Sequence, residues 1–146
     1  MSVTDDKFEI QTLTQRYADA VMRHDADDWG ATWAENGEWH MGPEPIVGRD
    51  NIVTAWKGMM AGFPFAAFMV QPAIVDVDGD NAKSRTYVQE TLQGADGVAF
   101  RVIGCYNDDL VREDGAWKFA ARRYTVLYQG PVDLSGEVIG YPEGTK

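Results

Sequence analysis

Three turn signals recur along the second half of the chain: "DGDN" at 78–81, "GADG" at 94–97 and "EDGA" at 113–116. Gly, Asp and Asn reverse a chain at low cost because they tolerate the left-handed backbone that tight turns need. Between and after these turns run three stretches rich in β-branched and aromatic residues, about 82–93, 98–111 and 116–128. Long strands joined by short turns lie side by side in opposite directions, so the spacing predicts an antiparallel meander. Upstream, "AAFMVQPAIVDV" is also apolar, but Pro72 interrupts it. Proline has no N–H to give a central ladder, which predicts a bulge or a sheet edge there.

The first third of the chain carries a different period. Ile10, Leu13, Tyr17, Ala20, Val21 and His24 fall three or four apart, the spacing of an amphipathic helix over about 6–24. A second, short helix follows, with Asp25 or Asp27 as its cap and Trp29, Thr32 and Trp33 on its inner face. Asn36-Gly37 then reads as a break leading into a short strand, and Pro43 and Pro45 mark a loop. Ile52, Trp56, Met59, Met60 and Phe63 predict a third helix, started by Asp50 or Asn51. Residues 129–146 are rich in Gly and Pro and are expected to wrap the outside or meet a neighbouring subunit. Helices first and a meander after is an α+β layout. A curved sheet with helices in its concave side leaves an apolar pocket suited to small hydrophobic ligands.

At 146 residues the chain is expected to form one domain, 1–146, large enough to fold without a disulfide or metal staple. Its net charge of −10 repels phosphate, which argues against nucleic acid and anionic membranes as partners. The single cysteine, Cys105, excludes an internal disulfide and a cysteine-rich zinc site, and reads as a small core residue. The first ten residues lack a signal-peptide pattern. No apolar run is long enough to span a bilayer. The expected location is the cytoplasm. No His or carboxylate spacing matches a metal motif, "GPEPIVG" lacks the context of a phosphate loop, and no G-x-S-x-G elbow occurs.

Several residues invite a chemical reading. Asp25 ends the first helix, and Asp28 stands three residues on. That is the geometry of an N-cap, and hydrogen bonds to the charged form lower a carboxyl pKa. A catalytic Asp25 would instead need an apolar setting that raises it. His24 is adjacent, but helix neighbours point about 100° apart, so the two do not form a dyad. On the strand after the turn, either Trp39 or His40 faces the pocket, because strand neighbours face opposite ways. On the last strand, Arg122 and Arg123 are adjacent, so one points inward. Counting from the Trp117–Phe119 face, parity buries Arg123, and a bulge would reverse that to Arg122. Tyr87, Gln89, Arg101, Tyr106, Asn107 and Tyr124 are further strand residues able to line a pocket.

The stretches "LTQRYADAVMRHDADDWGATWAENGEWHM", "VGRDNI", "AIVDVDGDNA" and "VREDGAWKFAARRY", in that order over about 7–128, resemble the SnoaL-like branch of the nuclear-transport-factor-2-like superfamily. That resemblance implies a cone-shaped α+β barrel, with N-terminal helices packed into a strongly curved antiparallel sheet. The stretches look most like lyases of the scytalone dehydratase and hexachlorocyclohexane dehydrochlorinase type. On that likeness Asp25 falls on a catalytic Asp position and Arg122 on a last-strand Arg position. The family His does not carry over, since Ala67 or a neighbour stands in its place and no histidine follows His40. The implied activity is a cofactor-independent, metal-free acid–base lyase acting on a small hydrophobic hydroxylated molecule, aromatic or alicyclic. The alternatives are an isomerase using the same pocket and a binding module or small subunit without chemistry. Asp25, Arg122 and His40 are the catalytic candidates. Tyr17, Trp33, Trp39, Trp56, Phe68, Tyr106, Arg123 and Tyr124 are the candidates for substrate contact. A homodimer or homotrimer is expected.

Overall fold

The computed structural model describes residues 2–142. Helix α1 (Val3–Arg23) starts at Ser2, whose hydroxyl accepts from the Asp5 N–H while the Asp5 carboxylate takes the Ser2 N–H. This reciprocal cap places the start three residues before the periodic pattern reveals it. Asp6, in the first turn, accepts from Arg112 at 2.6 Å and from the Trp117 indole at 3.0 Å, tying the helix to the far side of the sheet. The helix ends at His24, in the left-handed region at φ 53°. The His24 ring bonds the Phe63 carbonyl at 2.9 Å. Helix α2 (Ala26–Gly30) follows at once.

Strand β1 (Trp33–His40) includes Asn36-Gly37, where the sequence suggested a turn. Gly37 is tolerated inside the strand because a Cβ there would press on the Trp33 ring and the Ala34 carbonyl. The short β2 (Ile46–Val47) leads into α3 (Arg49–Met60). Gly48, at φ 91°, is the residue before α3 and donates no side-chain cap, so neither Asp50 nor Asn51 opens that helix. Strands β3 (Phe65–Val70) and β4 (Ile74–Asp78) lie end to end along one edge of β5 (Asn81–Gln93), and Pro72 occupies the gap between them. The edge is therefore where proline's missing donor is spent.

β5, β6 (Ala99–Glu113) and β7 (Ala116–Pro131) form the predicted meander, and the sheet order is β2-β1-β7-β6-β5-β3. The β1–β7 contact is parallel, so the sheet is mixed rather than wholly antiparallel. β7 reaches Pro131, which takes residues 129–131 out of the expected tail. Beyond it, residues 132–142 have no regular structure, and 143–146 lie outside the described residues.

The core is the space between α1 and the sheet. Ile10, Tyr17, Ala20 and Val21 of α1 pack with Trp29, Trp33, Trp39, Val88, Tyr106 and Phe119 in one apolar cluster. Full burial of each large side chain contributes about 1.5–3 kcal/mol. No helix among the described residues is long and apolar enough to cross a membrane.

Candidate functional site

Two irregularities in β7 decide which side chains face the concave side. Leu110 of β6 pairs with Phe119, but Asp109 pairs with Ala121, so Ala120 is an extra residue. Before this bulge Trp117 and Phe119 point inward; after it Arg122 and Tyr124 do. Arg122 is 1% exposed, while Arg123 lies outside, paired with Asp109 at 2.9 Å. Arg122 thus points inward, where uninterrupted parity put Arg123. The second shift falls between Ile103 and Gly104. Gly104 lies beneath the Tyr124 ring, and any Cβ at 104 would collide with that ring.

Around these inward residues is a cavity of about 230 Å³ between α1, α3 and the β5–β6–β7 end of the sheet. Tyr17, Trp39, Trp56, Phe68, Tyr106 and Tyr124, all candidates for substrate contact, line it. Val21, Leu92, Phe100 and Val102 add aliphatic and aromatic wall, and Met41, Met59, Met60 and Phe63 stand on the α3 side. A larger groove of about 640 Å³ at the opposite end of the strands is lined by Asp76, Asp78, Lys83, Asp109 and Glu113. Its Lys83–Asp109 pair is solvated, and polar contacts open to water are weak.

Among the described residues, one charged side chain lines the 230 Å³ cavity, that of Glu90. It sits on the inward parity of β5 after Ala82, Ser84, Thr86 and Val88, opposite Phe68 of β3. Tyr124 donates to Glu90 Oε2 at 2.6 Å. Among the described residues no donor reaches the other oxygen. Burial pushes the Glu90 carboxyl above its ordinary range, and the Tyr124 hydrogen bond only partly offsets this. Burial likewise raises the Tyr124 phenol. The clue to Glu90 was available in the sequence: a carboxylate on the buried parity of a strand, one position after Gln89. Tyr87, Gln89, Arg101 and Asn107 belong to the opposite parity and are absent from the cavity wall.

Behind the cavity is a buried ionic layer. Arg122 makes a bidentate pair with Asp108, Nε to Oδ1 at 2.8 Å and Nη2 to Oδ2 at 3.1 Å, and Ser84 donates to the same carboxylate. The guanidinium lies 3.8 Å from the Tyr106 ring centroid, 4.0 Å from Phe119 and 4.3 Å from Tyr17. Arg122 is therefore paired through Nε and Nη2, its buried Nη1 has no hydrogen-bond partner among the described residues, and it does not line the cavity. It acts on the site through the rings it supports. The Tyr17 and Tyr106 hydroxyls meet at 3.3 Å, and burial raises both phenols while Arg122 pulls them back.

The remaining candidates are placed elsewhere. Asp25 is the N-cap of α2: its Oδ1 accepts from the Asp28 N–H at 3.0 Å and its Oδ2 from Arg23 at 3.0 Å. The Asp28 backbone bond lowers its pKa, as does Arg23. Its side chain is one-third exposed, at 33%, and it does not line the cavity. The expected inward-looking carboxyl at 25 is thus replaced by a backbone cap. His40 is also outside the cavity wall. Trp39 takes the inward place, and the His40 ring stands 3.7 Å from Glu38 two residues back on its own strand. Trp33 is fully buried, but in the solid core against Tyr17, Trp29 and Phe119 rather than at the cavity. On β3 the inward ring of Phe68 occupies the wall where the resemblance would want a histidine.

The family model for the SnoaL-like domain matches residues 2–123. The chain belongs to the SnoaL-like domain family. An uncharacterized protein of Mycobacterium tuberculosis (strain H37Rv) is 30% identical over 129 residues, 85% of this chain and 87% of that one. Among solved structures, a candidate scytalone dehydratase from Novosphingobium aromaticivorans superposes with a TM-score of 0.82 at 19% identity, covering 98% of this chain and 96% of that one. A hexachlorocyclohexane dehydrochlorinase from Novosphingobium barchaimii gives 0.78 at 16% identity, covering 95% and 97%. A candidate aromatic ring hydroxylase from Novosphingobium aromaticivorans gives 0.82 at 26% identity, covering 90% and 96%. This SnoaL-like chain therefore has the cone-shaped α+β fold of dehydratase and dehydrochlorinase neighbours.

Proposed function

We propose that this SnoaL-like protein is a cofactor-independent acid–base lyase, performing a dehydratase-like elimination on a small hydrophobic hydroxylated molecule, aromatic or alicyclic. The observation that supports it is the Glu90 carboxyl, set in an aromatic cavity with one oxygen held by Tyr124 and the other without a donor among the described residues. A carboxylate raised toward the working pH is an effective proton acceptor. Glu90 takes a proton from carbon, and the C–H electron pair becomes a new C=C bond. The C–O bond on the neighbouring carbon breaks, and the hydroxide leaves as water with the proton returned by Glu90. A cavity of 230 Å³ is smaller than the usual drug-sized site, which fits one ring or two fused rings.

The test is turnover of a panel of small cyclic alcohols and hydroxyketones, followed by mass spectrometry for loss of water. Glu90→Gln should lower that turnover about 10²–10⁴-fold. Equal turnover by the variant sinks the assignment. A second reading, a binding module without chemistry, is favoured by the cap role of Asp25 and by the lack of a histidine in the cavity wall. It expects ligand binding with no turnover of any panel member. An isomerase would use the same single carboxyl to take and return one proton, and would incorporate solvent deuterium without losing water. The exposed Met69, Ile74, Tyr87, Leu127 and Tyr128 support the further proposal of a homodimer or homotrimer, which solution mass measurement tests.

A further inference from the structure

The cavity has an electrostatic demand that its own residues do not meet. Glu90 is the one charged residue in its wall, and no Lys, Arg or His among the described residues lines it. The cation nearest in the network, Arg122, is neutralised by its bidentate pair with Asp108 and lies behind the Tyr17 and Tyr106 rings. Tyr124 satisfies one Glu90 oxygen, and among the described residues the other has no donor. Charged groups away from water are costly unless paired.

The wall of the cavity is largely aromatic. Tyr17, Trp39, Trp56, Phe68, Tyr106 and Tyr124 all line the cavity. Tyr106 and Tyr124 lie with ring centroids 4.6 Å apart, and Tyr17 and Phe68 at 5.7 Å. Ring faces carry negative potential and attract ammonium groups, an attraction that grows when water is excluded. A carboxylate supplies the directional hydrogen bond that ring faces lack.

We infer that this cavity is a cation site, in which the free Glu90 oxygen and the surrounding ring faces bind the ammonium group of a small apolar amine. The apolar remainder of the amine fills the space among Val21, Leu92 and Val102. The net charge of −10 favours the approach of cations over anions. The raised carboxyl adds a signature: where the free protein holds Glu90 protonated, the amine displaces that proton. The site stands whether or not the cavity turns a substrate over, and it makes small amines competitive inhibitors of any reaction Glu90 performs.

The experiment compares benzylamine with benzyl alcohol, which have nearly the same shape, on the full chain. Quenching of tryptophan fluorescence reads binding, since Trp39 and Trp56 are in the wall. At mildly alkaline pH benzylamine should bind about tenfold tighter than the alcohol. In Glu90→Gln the preference should shrink to about twofold or less, while the exposed control Asp27→Asn retains it. Equal affinity for the two ligands in the natural chain overturns the inference, and so does an amine preference that survives Glu90→Gln. If that variant does not fold, calorimetry on the natural chain decides. In mildly acidic buffers of different ionisation enthalpy, benzylamine should release a proton and benzyl alcohol should not. Absence of proton release together with equal affinities ends the case. A failed lyase shows as no turnover with the amine preference intact, so the two ideas fail separately.

Discussion

Asp25 and Glu90 are both carboxyl groups in the same small domain, yet their surroundings drive them in opposite directions. Asp25 stands at the joint of two helices, where the Asp28 N–H and the Arg23 guanidinium stabilise its charge and lower its pKa. Glu90 stands on an inward strand position, where burial opposes its charge and only a phenol helps. The difference teaches that a carboxyl's role follows from the dipoles around it and from access to water. Position in a family pattern does not settle it. Asp25 matches the pattern and is occupied with the backbone; Glu90 matches no pattern and stands half-buried in an aromatic wall, one oxygen without a donor among the described residues.

The sharpest way to break that contrast is kinetic. Glu90→Gln should remove about 10²–10⁴-fold of turnover, or about 3–5 kcal/mol of barrier. Asp25→Asn should leave turnover within about twofold, since an amide caps a helix nearly as well. Steady-state rates on the first panel member that reacts decide it. A large loss at Asp25 with none at Glu90 reverses the assignment of roles.

The next largest effect concerns the layer behind the cavity. Arg122→Leu leaves Asp108 buried, at 3% exposed, with no counter-charge. Urea melts should show a loss of about 3–5 kcal/mol. Adding Asp108→Leu should recover much of it, because two buried apolar side chains need no pairing. No recovery in the double variant would mean that Arg122 stabilises through its ring contacts, not its charge.

Much of this architecture was legible in the sequence. The turns at 78–81, 94–97 and 113–116 fix the meander because turn chemistry is local, and the Ile10-to-His24 period fixes α1 for the same reason. The parallel β1–β7 contact was hidden, because nothing in either strand encodes a distant partner. The cavity was half legible. Tyr17, Trp39, Trp56, Phe68, Tyr106 and Tyr124 are large and apolar-bodied, so burial is their default. Arg122 escaped the parity count through one extra residue, Ala120, which no motif marks. Glu90 escaped because a carboxylate is ordinarily assigned to solvent, although four inward neighbours of its own parity precede it.

Two smaller substitutions refine the contrast. Gly104→Ala pushes a Cβ into the Tyr124 ring, and overpacking of this kind costs about 1–3 kcal/mol. It should also shift Tyr124 from Glu90, so ligand affinity should fall along with the melting temperature. Asp25→Ala deletes the α2 cap and should cost about 1 kcal/mol by chemical denaturation. That cost with unchanged ligand affinity would mark Asp25 as a purely structural group.

The smallest effect is the most diagnostic, because its sign differs between the two groups. Asp25 has a folded pKa below its ordinary 3.8, so the unfolded chain binds its proton more readily. Its contribution is present above that value and is lost as pH falls through the folded pKa. Glu90 has a folded pKa above its ordinary 4.5, so the folded chain holds the proton more tightly. Stability from this group is therefore complete below 4.5 and declines as pH rises through the folded pKa. Melting temperatures across pH should show Asp25→Ala flattening the acid limb. Glu90→Gln should flatten the descent on the neutral side, and a saturating amine should flatten it as well by supplying the missing counter-charge. If Glu90→Gln leaves the neutral limb as steep as before, the cavity already solvates that carboxylate, and the distinction between the two groups disappears.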